Sequence, residues 1–359
     1  MSLVRRLDGR ASVGDGQLRH ADSSSMRVTF REKFALLDGD TYVDVARWNP
    51  MGNLIATAEH LGLPQIKIWD STNGELLQVF GPERHYRLTS FLEWSPNGQL
   101  LASSYDISID LIQVWDISMV EDPLVMEIHH DGRITSYSTI YSIAWNPTGS
   151  QLMSTGGSDT GEIEEGSRTI AIWDANSGEH LATLNDHADG VIQASWSPDG
   201  QYIAASTWFD DIRIWDATDM SLVSITTAYE DESKVPIPII EWSPDGTQIA
   251  SASCSYIPGD CSLWILDMSS GTVSEAFSEA HVGYVNDLDW HPDGRLLASA
   301  GEVDKAVRIW DAETHEELAI IDTFEDSVTS VDWSPDGSML VASSRDGSAR
   351  VWEIEVDDD

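Results

Sequence analysis

Cysteine and positive charge are what this 359-residue chain has least of: it holds 2 cysteines, and 20 Lys and Arg stand against 61 Asp and Glu, a net charge of −41. Two cysteines cannot make a disulfide-framework protein. Cys254 and Cys261 flank residues Ser255–Asp260, and a hairpin holding them opposite would bring them within bridging range. In a reducing compartment the expectation is two free thiols. No apolar run reaches 18 residues, so no helix is expected to cross a bilayer. Arg5-Arg6 is followed by Leu7-Asp8-Gly9-Arg10 instead of an apolar stretch, which argues against an export signal and for a cytoplasmic location. A surface so poor in positive charge repels phosphate, so neither nucleic acid nor an anionic membrane is an expected partner.

What the chain has in plenty is tryptophan, 15 residues, within a hydrophobic fraction of 41%. That is ample for a buried core and excludes disorder of the whole chain. Length alone suggests about two domains, but internal repetition overrides that reading. The pattern Trp-x-Pro-x-Gly occurs at Trp48, Trp94, Trp145, Trp196, Trp242, Trp290 and Trp333, at intervals of 43 to 51 residues. A second pattern follows each copy: Ile68-Trp69-Asp70, Val114-Trp115-Asp116, Ile172-Trp173-Asp174, Ile214-Trp215-Asp216, Ile309-Trp310-Asp311 and Val351-Trp352-Glu353. The remaining copy is degraded to Trp264-Ile265-Leu266-Asp267.

Each repeat reads as short strands joined by turns. Apolar residues alternate before the first motif, as in Tyr141, Ile143 and Trp145. Ser334, Pro335 and Gly337 occupy the first, second and fourth positions that a type I turn favours. A second strand, a third carrying the Trp-Asp, and a fourth after turns such as Asn73-Gly74 complete the unit. Four antiparallel strands per repeat and seven repeats make an all-β, seven-bladed β-propeller.

These motifs resemble those of the WD40-repeat family over residues 30 to 354, and the acidic composition suggests a prokaryotic, halophile-like member. In that family a His, a Ser, an Asp and the Trp form a hydrogen-bonded network in each blade. The resemblance implies the fullest copy at His281, Ser299, Asp304 and Trp310, whereas the last blade has Phe324 at the His position. His85 and His187 hold equivalent positions, none of the three preceded by the family's Gly.

Closure follows from counting strands. The last repeat stops at its third strand, and Lys33-Phe34-Ala35-Leu36-Leu37 reads like the fourth strands elsewhere. Residues 31–37 are therefore expected to complete the last blade, since an open edge there would invite aggregation. The blades are expected at about 41–80, 87–128, 138–184, 190–226, 236–278, 284–322 and 327–354. Residues 1–30 are expected to be a mobile arm, and 355–359 an acidic tail.

Enzyme signatures are missing: the chain has no phosphate-binding G-x-x-x-x-G-K-[ST] loop, no G-x-S-x-G and no H-E-x-x-H. His129-His130-Asp131 has metal-capable atoms, but neighbours on an extended chain point opposite ways, so a solvated loop is the simpler reading. The expectation is a non-catalytic monomer with no cofactor and no metal.

Loop lengths separate two faces. Turns between first and second and between third and fourth strands stay short. Links between blades and second-to-third-strand turns vary, including the 156–168 insertion. Length variation confined to one face marks a binding face. That face offers Trp208, Phe209, Tyr256, Tyr105, Tyr86 and Tyr284 with Arg84 and Arg87, the side-chain types that anchor protein interfaces. A protein or peptide partner is the expected occupant. The alternatives are a ligand-sensing or enzymatic propeller working at the central channel mouth, or the recognition subunit of a signalling or defence assembly.

Acidic residues are spread over every blade, while Lys occurs only at Lys33, Lys67, Lys234 and Lys305. An even spread suits a salt-rich cytoplasm better than a steering patch for a basic partner. On that reading, self-repulsion is relieved by screening, and thermal melts should show the melting temperature climbing steeply from dilute buffer to molar KCl; a flat response would exclude it.

Overall fold

A computed structural model describes residues 26–37, 42–59, 65–81, 87–106, 111–129, 138–158, 169–185, 190–207, 211–227, 239–254 and 260–358. Within them lie seven four-stranded antiparallel sheets arranged as a β-propeller. Blade 1 is typical: Val43–Trp48, Leu54–Glu59, Ile66–Asp70 and Leu76–Phe80 bond in that order from channel to rim. The first strands of blades 2 to 7 are Arg87–Trp94, Ser138–Trp145, Val191–Trp196, Ile239–Trp242, Val285–Trp290 and Val328–Trp333.

The two sequence motifs are the turns of this architecture. In Trp-x-Pro-x-Gly, the glycine N–H closes the turn on the residue after Trp, as from Gly98 to Ser95 O at 2.7 Å. All seven motif glycines hold φ between 68° and 76°, a region other residues enter only with strain. The Asp of Trp-Asp caps the next turn. Asp174 Oδ1 accepts from the Asn176 and Ser177 N–H groups, and Asp70, Asp216, Asp267 and Asp311 repeat the arrangement. Hydrogen bonds from Ser269 and Ser270 hold the Asp267 carboxyl down at about 2. The acidity of the short-turn face is therefore partly structural.

Third strands are buried on both faces, as in Ile66–Asp70, because each sheet is sandwiched between neighbours. The core accordingly lies between blades. One cluster joins Val45, Ala56 and Ile68 of blade 1 to Leu92, Trp94 and Trp115 of blade 2. Another joins Val341 and Val351 of blade 7 to Val43, Trp48 and Trp69 of blade 1.

The ring closes as the strand count requires: Met26–Leu37 pairs antiparallel with Ser348–Asp358 and becomes the outer strand of blade 7. The strand begins earlier than expected, because residues 26–30 belong to it and not to a mobile arm. Residues 355–358 likewise extend the last strand and are not a loose tail. Alternation explains both corrections. Val28 is buried, and Met26, Phe30 and Val356 pack with it on the blade 6–7 core. Arg27 and Arg31 face the acidic Asp357 and Glu353 in register, and Arg31 forms an ion pair with Glu353. Leu36 is fully enclosed in the seam between blades 7 and 1. Leu36→Ala should cost about 2–5 kcal/mol of stability, and deleting residues 1–38 should lower the melting temperature further; unchanged melts would contradict the closure.

Candidate functional site

The rigid frame comes first. His281 ends the long outer strand Val273–Val282 of blade 5 and reaches into blade 6. Its Nδ1 lies 2.9 Å from Asp304 Oδ2 and its Nε2 2.6 Å from Ser299 Oγ, which also accepts from Trp310 Nε1 at 2.8 Å. Arg308 donates to the same Asp304 carboxylate. Burial opposes ionisation of Asp304, yet the His281 hydrogen bond and the Arg308 charge hold its carboxyl below the ordinary value. Gly301 makes room for this: a Cβ there would sit 2.0 Å from Asp304 Oδ1 and 2.3 Å from His281 Nδ1. In blade 7, Phe324 takes the His place and packs edge-on against Trp352, with Arg350 over its ring.

Four of the scarce cations serve inside the blades. Lys67, Arg213, Arg308 and Arg350 each stand two residues before a motif Trp of the third strand. They form ion pairs with Glu59, Asp211, Asp304 and Asp346 respectively.

The first strands surround a channel of about 580 Å³. The residue before each motif Trp faces it, close to the short-turn face: Arg47, Glu93, Ala144, Ser195, Glu241, Asp289 and Asp332. Asp287 lies one step higher and accepts from Arg47 Nη1 at 2.8 Å. One arginine thus serves five channel carboxylates. Burial, opposed by Arg47, pushes Glu93 up to about 7, and burial likewise raises Asp332 to about 7. Burial and repulsion from neighbouring acids raise Glu241 and Asp289 as well. The motif intervals carried this signal, one position before each Trp, but only the ring geometry converts it into a layer.

On the variable-loop face, Tyr284 is exposed at the start of the first strand of blade 6 and also lines the channel. Val303 covers Gly283, whose Cβ would lie 2.4 Å from Val303 Cγ2, so exposed Val282, Tyr284 and Val303 form one patch. Tyr42, at the same position of blade 1, is exposed too. Register places Arg87 and Tyr105 on adjacent strands at one end of blade 2, their side chains outside the described set. Arg84, His85, Tyr86, His187, Trp208, Phe209 and Tyr256 lie outside the described residues, as does most of the 156–168 insertion. The free-thiol expectation is corrected: the register sets Cys254 opposite Cys261, and Cys261 is disulfide-bonded. Adjacent antiparallel strands bring such a pair within bridging range without displacing the backbone.

The family model for the WD domain, G-beta repeat, matches residues 128–174, 178–216, 273–311 and 316–353. The matched segments are WD40 repeats, and they lie within a seven-bladed β-propeller. Three of the four matched repeats take the whole outer strand of one blade and three strands of the next, and the first takes the last two residues of such a strand, so repeat and blade are offset by one strand. Relatives include Protein HIR1 of Cryptococcus neoformans, 25% identical over 60% of this chain and 25% of its own length. Actin-interacting protein 1 of Drosophila melanogaster is 24% identical over 63% of the chain and 33% of its own length. The Poly(A)+ RNA export protein of Schizosaccharomyces pombe is 29% identical over 37% of the chain and 36% of its own length. The chain thus spans about a quarter to a third of the length of these relatives. All three are eukaryotic and lend no support to the expectation of a prokaryotic, halophile-like type.

In this WD40 frame, removing the imidazole leaves Ser299 and Asp304 short of a partner in a closed site. His281→Ala should lower stability by about 2–4 kcal/mol, Gly301→Ala should be destabilising too, and exposed His129→Ala should stay within about 0.5 kcal/mol; chemical denaturation measures all three.

Proposed function

We propose that this WD40 propeller is a non-catalytic scaffold that docks a protein or peptide partner on its variable-loop face. The observation that carries the reading is the exposed patch of Val282, Tyr284 and Val303, with Tyr42 beside the same channel mouth. Aromatic and aliphatic side chains held out on a rigid frame lose little entropy on binding, and such residues anchor interfaces. Among the relatives, one is named for interaction with actin and another for RNA export. Those names describe whole proteins that extend well beyond the matched region, and they support a scaffold role without naming this chain's partner.

The channel supports a second reading, in which a small cationic ligand is taken among Glu93, Glu241, Asp287, Asp289 and Asp332. The two readings use opposite ends of the channel, since the carboxylates lie toward the short-turn face.

Capture from source lysate, read by mass spectrometry, tests the docking face. A Tyr284→Ala/Val303→Asp variant should lose a partner that the unmodified chain retains. Val120→Asp, on the short-turn face, should keep it. Loss with the second variant and retention with the first would reject the variable-loop face.

A further inference from the structure

The inner edge of each first strand faces the next blade, and its backbone N–H groups need acceptors. A repeating solution supplies them. The side chain three residues before a motif Trp accepts from the N–H two residues before the next blade's Trp. Ser142 accepts from Ala194 N, Gln193 from Ile240 N, Asp287 from Val331 N and Ser330 from Ala46 N. At two junctions a second rung is added, both times by a carboxylate: Asp289 accepts from Trp333 N and Asp332 from Trp48 N, each at 2.5 Å.

Those same junctions lack another fastening. At the joints between blades 1 and 2, 2 and 3, 4 and 5, and 5 and 6, the motif indole donates to a carbonyl of the preceding blade. Among the described residues, Trp333 Nε1 and Trp48 Nε1 have no hydrogen-bond partner, and neither has Trp196 Nε1 at the joint between blades 3 and 4. Blade 7, which carries the ring seam, is thus held on its channel side by three carboxylates, Asp287 and Asp289 of blade 6 and its own Asp332 reaching blade 1, beside neutral bonds such as Ala46 N to Ser330 and Asn286 to Val328 O. Arg47 of blade 1 bonds Asp287 across the blade between them. Glu93 and Glu241 face the same layer, while Ser142, Ala144, Gln193 and Ser195 of blades 3 and 4 bring no charge to it.

We propose that Asp289 and Asp332, beside the Asp287 rung, form a proton-operated clasp at the closing sector of the ring, seating blade 7 firmly when channel charge is partly neutralised and loosening it when both are ionised. A carboxylate accepts a hydrogen bond more strongly than a carboxyl group, so protonation weakens each single rung. Against that, burial and mutual repulsion act on every acid in the layer. The upward direction of the Asp289 and Asp332 shifts shows that they outweigh the rungs and Arg47. A carboxyl raised in the folded state stabilises the fold below its unfolded value and loses that contribution as pH rises through its folded value. With Glu93 and Asp332 at about 7, the transition falls between pH 6 and 8.

Hydrogen exchange of the full chain, read by mass spectrometry in high salt and corrected for the intrinsic pH dependence, tests the clasp. Segments 43–48 and 328–333 should lose protection about tenfold from pH 6 to pH 8. Segment 191–196, whose rung is the neutral Ser142, serves as the internal control and should hold steady. Asp289→Asn/Asp332→Asn keeps an acceptor oxygen without the charge and should flatten the response. If that variant does not fold, Glu93→Gln/Glu241→Gln, which touches no rung, should shrink it. A uniform change in all three segments, no change at all, or an undiminished response in the neutralised variants would overturn the proposal.

Discussion

Burial between neighbouring blades is the constraint on which everything else depends. Within a single blade the middle strands are buried on both faces, so no blade can hide its surface alone. Seven blades around a channel satisfy every face at once, but only if the seventh meets the first. The chain meets this demand twice. At the rim, Met26–Leu37 completes blade 7, and at the channel the first strands of blades 6, 7 and 1 are tied by carboxylates. The apolar seam around Leu36 and Trp48 lies between the two.

Charge is segregated by this geometry. Cations at the position two before the third-strand Trp are drawn into the blades, where Lys67 and Arg213 are almost fully covered. The acids fall into populations with different physics. Turn aspartates such as Asp267 are held ionised by the hydroxyl and backbone donors of Ser269 and Ser270, and channel acids such as Glu93 are held toward the neutral form by burial. Glu59 and Asp304 pair with cations inside the blades, while exposed acids leave their energy to water and salt. A net charge of −41 therefore overstates how uniform the electrostatics are.

Much of the fold was legible because the motif residues perform the turns themselves. Proline and glycine fix the first turn, and the Asp of Trp-Asp caps the second, so their recurrence counts blades without any reference to packing. Closure was legible for the same reason, as a missing fourth strand. The early start of that strand was not, because Arg27, Thr29 and Arg31 on its outer side hide the alternating Met26, Val28 and Phe30. The candidate site was less legible. Register decides that Cys254 faces Cys261, and ring geometry decides that seven residues spaced by whole repeats share one layer; neither is a local property. Of the interface residues suggested by loop length, Tyr284 is the one whose exposure the fold makes plain, with Tyr42 joining it by equivalence of position.

The one-strand offset between repeat and blade has a consequence for how the molecule comes into being. Residues 26–37 leave the ribosome before any blade of this propeller exists, and the strand they pair with, residues 348–358, emerges after all its other strands. All seven blades must be made before those two segments can meet, so closing the loop between them is the most distant pairing the fold contains and a slow one by nature. Until then the growing propeller is an open arc with an unpaired edge at each end. Ring closure is thus an event that waits on all seven blades, and the strand that guards the finished propeller against edge-to-edge association is itself unguarded while they are made.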